Sequence, residues 1–228
     1  GAHPGYDAIV QAMTGMMAAT GSPASGPTRI GVALVDITTG LYATVGILMA
    51  LSERARSGKG QFLETTLFET GLAIMHPHTA NFFFTGKPPA LTGNEHPNLV
   101  PYAVFPARDG NLFMGVGNDG TFRKLCRELG RPELGTDPRF ARNRDRVANR
   151  DALRAELVDI LKDHDVEPLC RRLLAAGLPA GPVQSIDTAL KSEHVRHRGD
   201  IIEKDWYKCV ASPIRFDRTK ASLRRLPP

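Results

Sequence analysis

Residues 29–60 read RIGVALVDITTGLYATVGILMALSERARSGKG, and they place one carboxylate, Asp36, inside an otherwise apolar run. Burying a carboxylate costs several kcal/mol unless a partner compensates for it. The segment Gly40–Arg56 predicts a long helix, because small side chains recur in it at helical spacing and let another element approach closely. Asp36 then precedes the helix, and Asp is a favoured N-cap residue. A carboxylate at that place is also kept ionised by the helix dipole, and such a group can attack an activated acyl carbon.

Composition and charge exclude several classes of protein. With 228 residues, 42% of them hydrophobic, the chain can form a sizeable core. The net charge of +5 is spread along the chain, which favours an anionic ligand over a nucleic acid. Cys126, Cys170 and Cys209 fit no disulfide framework or zinc spacing and favour a reducing, cytoplasmic location. The apolar run Leu41–Leu51 is too short to span a bilayer, so we expect no membrane association.

A stretch rich in Pro, Gly and Asn, residues 85–101, divides the chain. Before it, we predict a helix over Tyr6–Ala19, the long helix that follows Asp36, and a short strand from Gln61 that leads into another helix. After it, Asp109-Gly110 is a strong hairpin signal between two apolar runs. Three amphipathic helices and a final strand region follow. The second half is therefore predicted to be a small α+β unit.

Two further patterns have ordinary structural explanations. The segment Gly115–Gly120, GVGNDG, resembles a phosphate-binding loop but lacks the Lys and Ser/Thr of a P-loop, so a turn between strand and helix is the favoured explanation. His76, His78 and His96 lie near one loop region without a metal-binding helical pattern. We therefore expect no metal site.

Several phrases that occur in order along the chain resemble the family III CoA-transferases, also called the CaiB/BaiF family. This group includes formyl-CoA and carnitine CoA-transferases and α-methylacyl-CoA racemase. The phrases are HPGYDAIVQAMTGMMAATG, VDITTGLYATVGILMALSERARSGKGQFLETTLFE, VPYAVFPARDGNLFMGVGNDGTFRKLCRELGRPEL and LLAAGLPAGPV. Each phrase alone is weakly diagnostic, but the ordered set covers nearly the whole chain.

The resemblance implies an α/β fold, with part of a Rossmann-like large domain, a small α+β domain and an interlocked homodimer. On that pattern, residues 1–75 belong to the large domain, 76–100 form a linker, 101–190 form the small domain and 191–228 return to the large domain. The family also has a Rossmann half before the Gly-Tyr-Asp motif and a closing C-terminal segment. We therefore expect this chain to be truncated at both ends and to hold little of the CoA site.

The resemblance further implies a CoA-transferase that moves CoA from an acyl-CoA thioester to a carboxylic acid. The family nucleophile corresponds to Asp36, and the family's glycine loop corresponds to Gly115, Gly117 and Asn118. The CoA thioester is a substrate, and no permanently bound cofactor is expected. In the racemase branch the same aspartate works with a His, whose position here is Tyr6. A phenol is a poor base at neutral pH, which favours transfer over racemisation, while an inactive fragment remains a third alternative.

Overall fold

The computed structural model describes residues 5–227, so the first four residues of the predicted large-domain segment lie outside it. Helices and strands alternate along the described residues, with one 3₁₀ turn at Pro132–Gly135. The helices are α1 Asp7–Met13, α2 Met16–Ala19, α3 Leu34–Ser57, α4 Leu67–Ala73, α5 His78–Thr85, α6 Asp119–Glu128, α7 Asn143–Ala148, α8 Arg150–Leu161, α9 Val166–Ala175, α10 Ile186–Leu190 and α11 Glu193–Arg198. The strands are β1 Gly21–Ser22, β2 Gly26–Pro27, β3 Tyr102–Ala107, β4 Gly110–Gly115, β5 Ala180–Pro182, β6 Ile201–Lys204 and β7 Tyr207–Val210.

The predicted hairpin is the centre of the second half. Strands β3 and β4 pair antiparallel from Tyr102–Gly115 to Ala107–Gly110, so Arg108 and Asp109 form a two-residue loop. Strand β5 adds to the other edge of β4, also antiparallel. The remaining pairs, β1 with β2 and β6 with β7, are antiparallel as well. The mixed fold of helices and sheets is confirmed, and every strand pair within residues 5–227 is antiparallel.

Helices α6, α8 and α9 cover the three-stranded sheet and form one hydrophobic core with it. The predicted apolar face of α8 is confirmed, because Leu153, Leu157 and Leu161 are buried in this core and Ile160 packs at its edge. Buried apolar side chains from β3, β4, α6 and α9 complete the cluster. The hydrophobic effect therefore stabilises residues 100–178 as a unit with its own core.

Arg146 lies inside this unit. Among the described residues, it is the one charged side chain that is fully buried. It donates to the carbonyl oxygens of Val100 (2.5 Å) and Phe140 (2.8 Å) and to the carboxylate of Asp119 (2.9 Å). Its guanidinium also stacks over the ring of Phe122, 4.5 Å from the centroid. Burial lowers the pKa of this guanidinium, whereas the hydrogen bond to Asp119 raises it. Arg146 therefore joins the linker end, a loop and the start of α6.

The first part of the chain has a smaller core, formed by Val10, Met16, Val35 and Met75. Two glycines allow close approach in this part of the chain, but only Gly46 is among the small residues that the sequence singled out on the long helix, and Gly40 has open space around it. A Cβ atom at Gly71 of α4 would lie 2.8 Å from the Thr14 side chain, so the two chain segments touch at this point. On α3, Gly46 contacts Leu63 in the same way.

Three local predictions differ from the structure. The predicted helix over Tyr6–Ala19 is broken between α1 and α2, where Gly15 has a positive φ of 82°. No strand forms after Gln61, and residues 59–66 are irregular up to the start of α4. Finally, α3 begins at Leu34 and not at Gly40, because a tertiary contact described below caps it earlier. Its predicted end is confirmed, since Gly58 adopts the left-handed conformation after Arg54 and Arg56 in the last turn.

The three cysteines are free, in agreement with the sequence analysis. Cys126 and Cys170 are buried in the core of the second half, whereas Cys209 is only partly buried on β7. Burial raises the pKa of the Cys126 thiol to about 11, so this group stays protonated at neutral pH.

Arg146→Ala should lower the free energy of unfolding by about 3 kcal/mol, because two backbone carbonyls and a carboxylate would lose their donor. Arg144→Ala on the same helix is the matched control, since the Arg144 side chain is 75% exposed, and it should change stability by less than about 0.5 kcal/mol. Urea unfolding followed by circular dichroism measures both. Equal stabilities for the two variants would contradict the anchoring role of Arg146.

Candidate functional site

Asp36 lies in the first turn of α3 and is exposed to solvent. It is the third residue of the helix, so the predicted N-cap position is wrong; the N-cap is Ala33, which has no side chain able to cap. The Asp36 carboxylate accepts no hydrogen bond and forms no ion pair within residues 5–227. Its oxygens are therefore open to a reactant on the surface.

A different carboxylate, Asp7, caps α3 from a distance in sequence. Asp7 begins α1 and is only 8% exposed. Its Oδ2 atom accepts hydrogen bonds from the backbone N–H of Val35 (2.7 Å) and of Asp36 (3.2 Å). A negative charge at the N-terminus of a 24-residue helix also interacts favourably with the helix dipole. The hydrogen bonds from Asp7 thus stabilise the start of α3 at Leu34. For this reason the helix begins before Gly40, the start that local sequence signals indicated.

Gln11 extends this contact into a buried network. Its side-chain amide donates to Oδ1 of Asp7 at 2.5 Å, and its Oε1 accepts from the backbone N–H of Ile30 at 2.9 Å. Gln11 is fully buried. Two side chains of α1 therefore hold both the loop before α3, at Ile30, and the first turn of the helix.

Three of the four N–H groups that a helix start leaves free, those of Leu34, Val35 and Asp36, are bound by protein acceptors, and Ile37 makes the first regular intrahelical bond. Leu34 donates to the carbonyl of Val32 and Ile37 donates to that of Ala33, while Asp7 accepts from the two residues between them. A helix N-terminus usually offers such groups to an anion. Here those of Leu34, Val35 and Asp36 are occupied, so an oxyanion formed near Asp36 would need further donors from elsewhere.

Tyr6, the position that carries a His in the racemase branch, directly precedes Asp7. It is 75% exposed and is the N-cap residue of α1. Through the Asp7 contact, the structure brings the Gly-Tyr-Asp motif and the first turn of α3 together. Local sequence signals did not single out Asp7, although it is a carboxylate in the same short motif as Tyr6, ahead of an apolar helix.

The glycine-loop residues lie on the other core. Gly115 ends β4 and is buried. Asn118 is the N-cap of α6, and its side-chain oxygen accepts from the backbone N–H of Thr121 at 2.9 Å and from its hydroxyl at 3.1 Å. Gly117 is exposed, with nothing within 4 Å of where a Cβ atom would lie. Within residues 5–227, no hydrogen bond joins this loop to the first turn of α3.

The three histidines considered above, His76, His78 and His96, lie in or near the predicted linker. In the described part of the chain, no group of three or more His, Cys, Asp or Glu side chains is arranged to hold a metal ion. His96 accepts a hydrogen bond from the backbone N–H of Asn98 and stacks on Tyr102, with ring centroids 5.1 Å apart. Its pKa is lowered by burial and by the nearby positive charges of His78 and Arg150. His96 therefore contributes to the structure of the linker.

Helix α3 presents a broad apolar surface. Eight of its large apolar side chains are 43–68% exposed, and Val35 is the only buried residue of the helix. Over 24 residues the helix is also long and apolar enough to cross a membrane by length and composition alone, unlike the shorter run Leu41–Leu51 considered above. The same test is passed by core helices of soluble proteins. Apolar surfaces of this size mark contacts with another surface.

Comparisons with known proteins agree on one group. The family model described as "CoA-transferase family III" matches residues 1–228. The chain is 38% identical over 215 residues to an acetyl-CoA:oxalate CoA-transferase of Acetobacter aceti. The aligned residues cover 94% of this chain and 55% of that protein. It is 40% identical over 199 residues to a succinate–glutarate CoA-transferase of Agrobacterium fabrum, covering 86% of this chain and 49% of that protein.

A solved structure has the same architecture. The crystal structure of a CaiB/BaiF family protein from Brucella suis superposes with a TM-score of 0.78 at 39% identity, over 96% of this chain and 58% of that one. The chain spans about half the length of the curated relatives that it matches.

Gly115→Ala should destabilise the protein by about 1–3 kcal/mol, because the new Cβ atom would lie 2.9 Å from the Tyr102 ring on the paired strand, and that ring would have to move. Gly117→Ala is the matched control two residues away, since open space surrounds that position, and its stability should change by less than about 0.5 kcal/mol. Urea unfolding of the two variants distinguishes them. A larger loss for Gly117→Ala would contradict the described loop packing.

Proposed function

The chain belongs to CoA-transferase family III, and we propose that its protein transfers CoA from an acyl-CoA thioester to a carboxylic acid, with Asp36 as the nucleophile. The observation that carries the proposal is the site of Asp36: an exposed carboxylate, free of hydrogen-bond partners, on a helix turn that a buried network holds in place. Both relatives named above are CoA-transferases by name. One name joins acetyl-CoA with the dicarboxylate oxalate, and the other joins the dicarboxylates succinate and glutarate. An acyl-CoA and a dicarboxylic acid are therefore the proposed substrates.

In the proposed reaction, an oxygen of the Asp36 carboxylate attacks the thioester carbonyl carbon, and the carbon–sulfur bond breaks to release CoA thiolate. The thiolate then attacks the Asp36 carbonyl of the resulting anhydride and releases the donor as a carboxylate. The acceptor acid attacks the aspartyl-CoA thioester and expels the thiolate again. Finally, the thiolate attacks the acceptor carbonyl of the second anhydride, which yields the new thioester and the free Asp36 carboxylate. Covalent catalysis thus divides one exchange into four displacements.

The anhydrides need donors for each oxyanion and protection from water. The N–H groups of Leu34, Val35 and Asp36 are occupied, so further donors are proposed to come from outside this turn. In the glycine loop, Gly115 packs on Tyr102 and Asn118 caps α6. Gly117 is left as the exposed loop position proposed to approach the intermediates.

Racemisation is the weaker alternative, because the position of the second acid/base is Tyr6. A racemase must remove and return a proton at the α-carbon of the thioester. Incubation of the protein with an α-methylacyl-CoA in deuterium oxide separates the two functions. We expect no deuterium at the α-carbon, and its enzyme-dependent incorporation there would favour the racemase.

Asp36→Ala and Asp36→Asn in the full-length protein should reduce CoA transfer by at least roughly 10³-fold, because the nucleophile is lost. Hydroxylamine added during turnover should convert Asp36 to a hydroxamate in the wild-type protein only, detected by mass spectrometry. Asp151→Asn is the matched control, since Asp151 is also an exposed acid in the first turn of a helix, α8. Transfer at the wild-type rate by Asp36→Ala would refute the mechanism.

The apolar surface of α3 supports a further proposal, a cytoplasmic homodimer in which this surface is covered by protein. Analytical ultracentrifugation of the full-length protein should give twice the mass of one chain, without detergent. Flotation with phosphatidylcholine vesicles is the opposing test. A monomer in the first experiment would contradict the dimer, and co-flotation with the vesicles would favour a membrane as the partner of α3.

A further inference from the structure

The buried network at the start of α3 does more than stabilise a helix. Resting on the proposed function of Asp36, we propose that Asp7 and Gln11 are positioning residues that aim the Asp36 carboxylate at the thioester. Neither residue is expected to touch the substrate. Their effect would reach the reaction through the backbone of the first turn of α3.

The geometry of the helix start supports this positioning role. Asp7 binds the N–H of Asp36 itself, at 3.2 Å, as well as the N–H of the preceding residue at 2.7 Å. The peptide group that carries the nucleophile is therefore held by a side chain on another helix. A nucleophile displaced by 1 Å can react about 10²-fold more slowly, because attack requires an aligned approach.

The network is itself held by hydrogen bonds. Asp7 is bound by Gln11, which is fully buried and also binds the backbone of Ile30. The loop that leads to Asp36 is thus fixed at Ile30 and again at Val35. A side chain with both ends hydrogen-bonded in a buried site has one arrangement, which limits the motion of the segment between these points.

The Asp7 contact also bears on the chemistry of Asp36. An acidic side chain in the first turn of a helix commonly accepts hydrogen bonds from nearby N–H groups, which would occupy the lone pairs needed for attack. Asp7 accepts the bonds from two of these groups. The oxygens of Asp36 are left unbound, which favours their attack on the carbonyl carbon of the thioester.

The test measures formation of the covalent intermediate in the full-length protein, with succinyl-CoA as the probe. Rapid mixing and acid quench, followed by mass spectrometry, give the rate at which CoA becomes attached to the peptide containing Asp36. Asp7→Ala should slow this step on the order of 10²-fold. Asp7→Asn, which keeps one acceptor oxygen, should slow it by roughly tenfold, and the KM for succinyl-CoA should stay within about threefold in both variants.

Thr66→Ala is the matched control for the loss of a helix cap. The Thr66 hydroxyl caps α4 by accepting from the backbone N–H of Glu69, and it does not contact α3. This variant should lose about 1 kcal/mol of stability, as expected for a lost cap, and should form the adduct at the wild-type rate. Circular dichroism confirms that each variant is folded, and Asp7→Asn serves if Asp7→Ala does not fold.

The outcomes separate the two proposals. If the Asp7 variants form the adduct at the wild-type rate while Asp36→Ala forms none, the positioning role is overturned and the proposed function stands. The positioning role is also overturned if Thr66→Ala and Asp7→Asn have equal stabilities and slow adduct formation equally. If the wild-type protein forms no adduct, or if Asp36→Ala forms it equally fast, the proposed function fails, and the positioning role fails with it.

Discussion

The contact between the Asp7 carboxylate and the first turn of α3 determines the arrangement of the first part of the chain. It joins residues 28 positions apart in sequence and replaces the cap that Ala33 cannot supply. A carboxylate buried without partners would be unfavourable by several kcal/mol, but here backbone N–H groups and the Gln11 amide satisfy it. The small core of Val10, Met16, Val35 and Met75 packs beside this contact. The polar contact and the small apolar core thus act together to hold α1 against the start of α3.

A second buried ionic contact plays the same part in the other half. Arg146 binds Asp119, the first residue of α6, together with two backbone carbonyls. The Gly115–Gly120 loop therefore ends on an anchored helix start and begins on a buried sheet strand. Gly117 is exposed between these two fixed ends, beside the exposed cap residue Asn118. A loop held in this way can vary in conformation at its centre while its ends keep their positions.

The exposed apolar surface of α3 has a plain physical meaning. Helix packing normally buries the apolar side chains of such a helix, yet Val35 alone is buried in α3. The matched relatives are about twice as long as this chain. An apolar surface that is unfavourable in water indicates a helix that another surface covers, and this agrees with the proposed dimer.

The sequence by itself determined the hairpin, the amphipathic helices of the second half and the end of α3, because hydrophobic periodicity and turn residues act locally. The family followed from the resemblance of motifs that occur in order along the chain. The sequence also singled out Asp36, through ordered motifs. Only the tertiary structure decided that Asp36 is not a cap, that Asp7 is, and that the strand expected after Gln61 does not form. Asp7 and α3 are separated by 28 residues, so no local propensity records their contact. The capping hydrogen bonds exist only after the chain has folded α1 against α3, and for that reason the partner of Asp36 could not be derived from spacing.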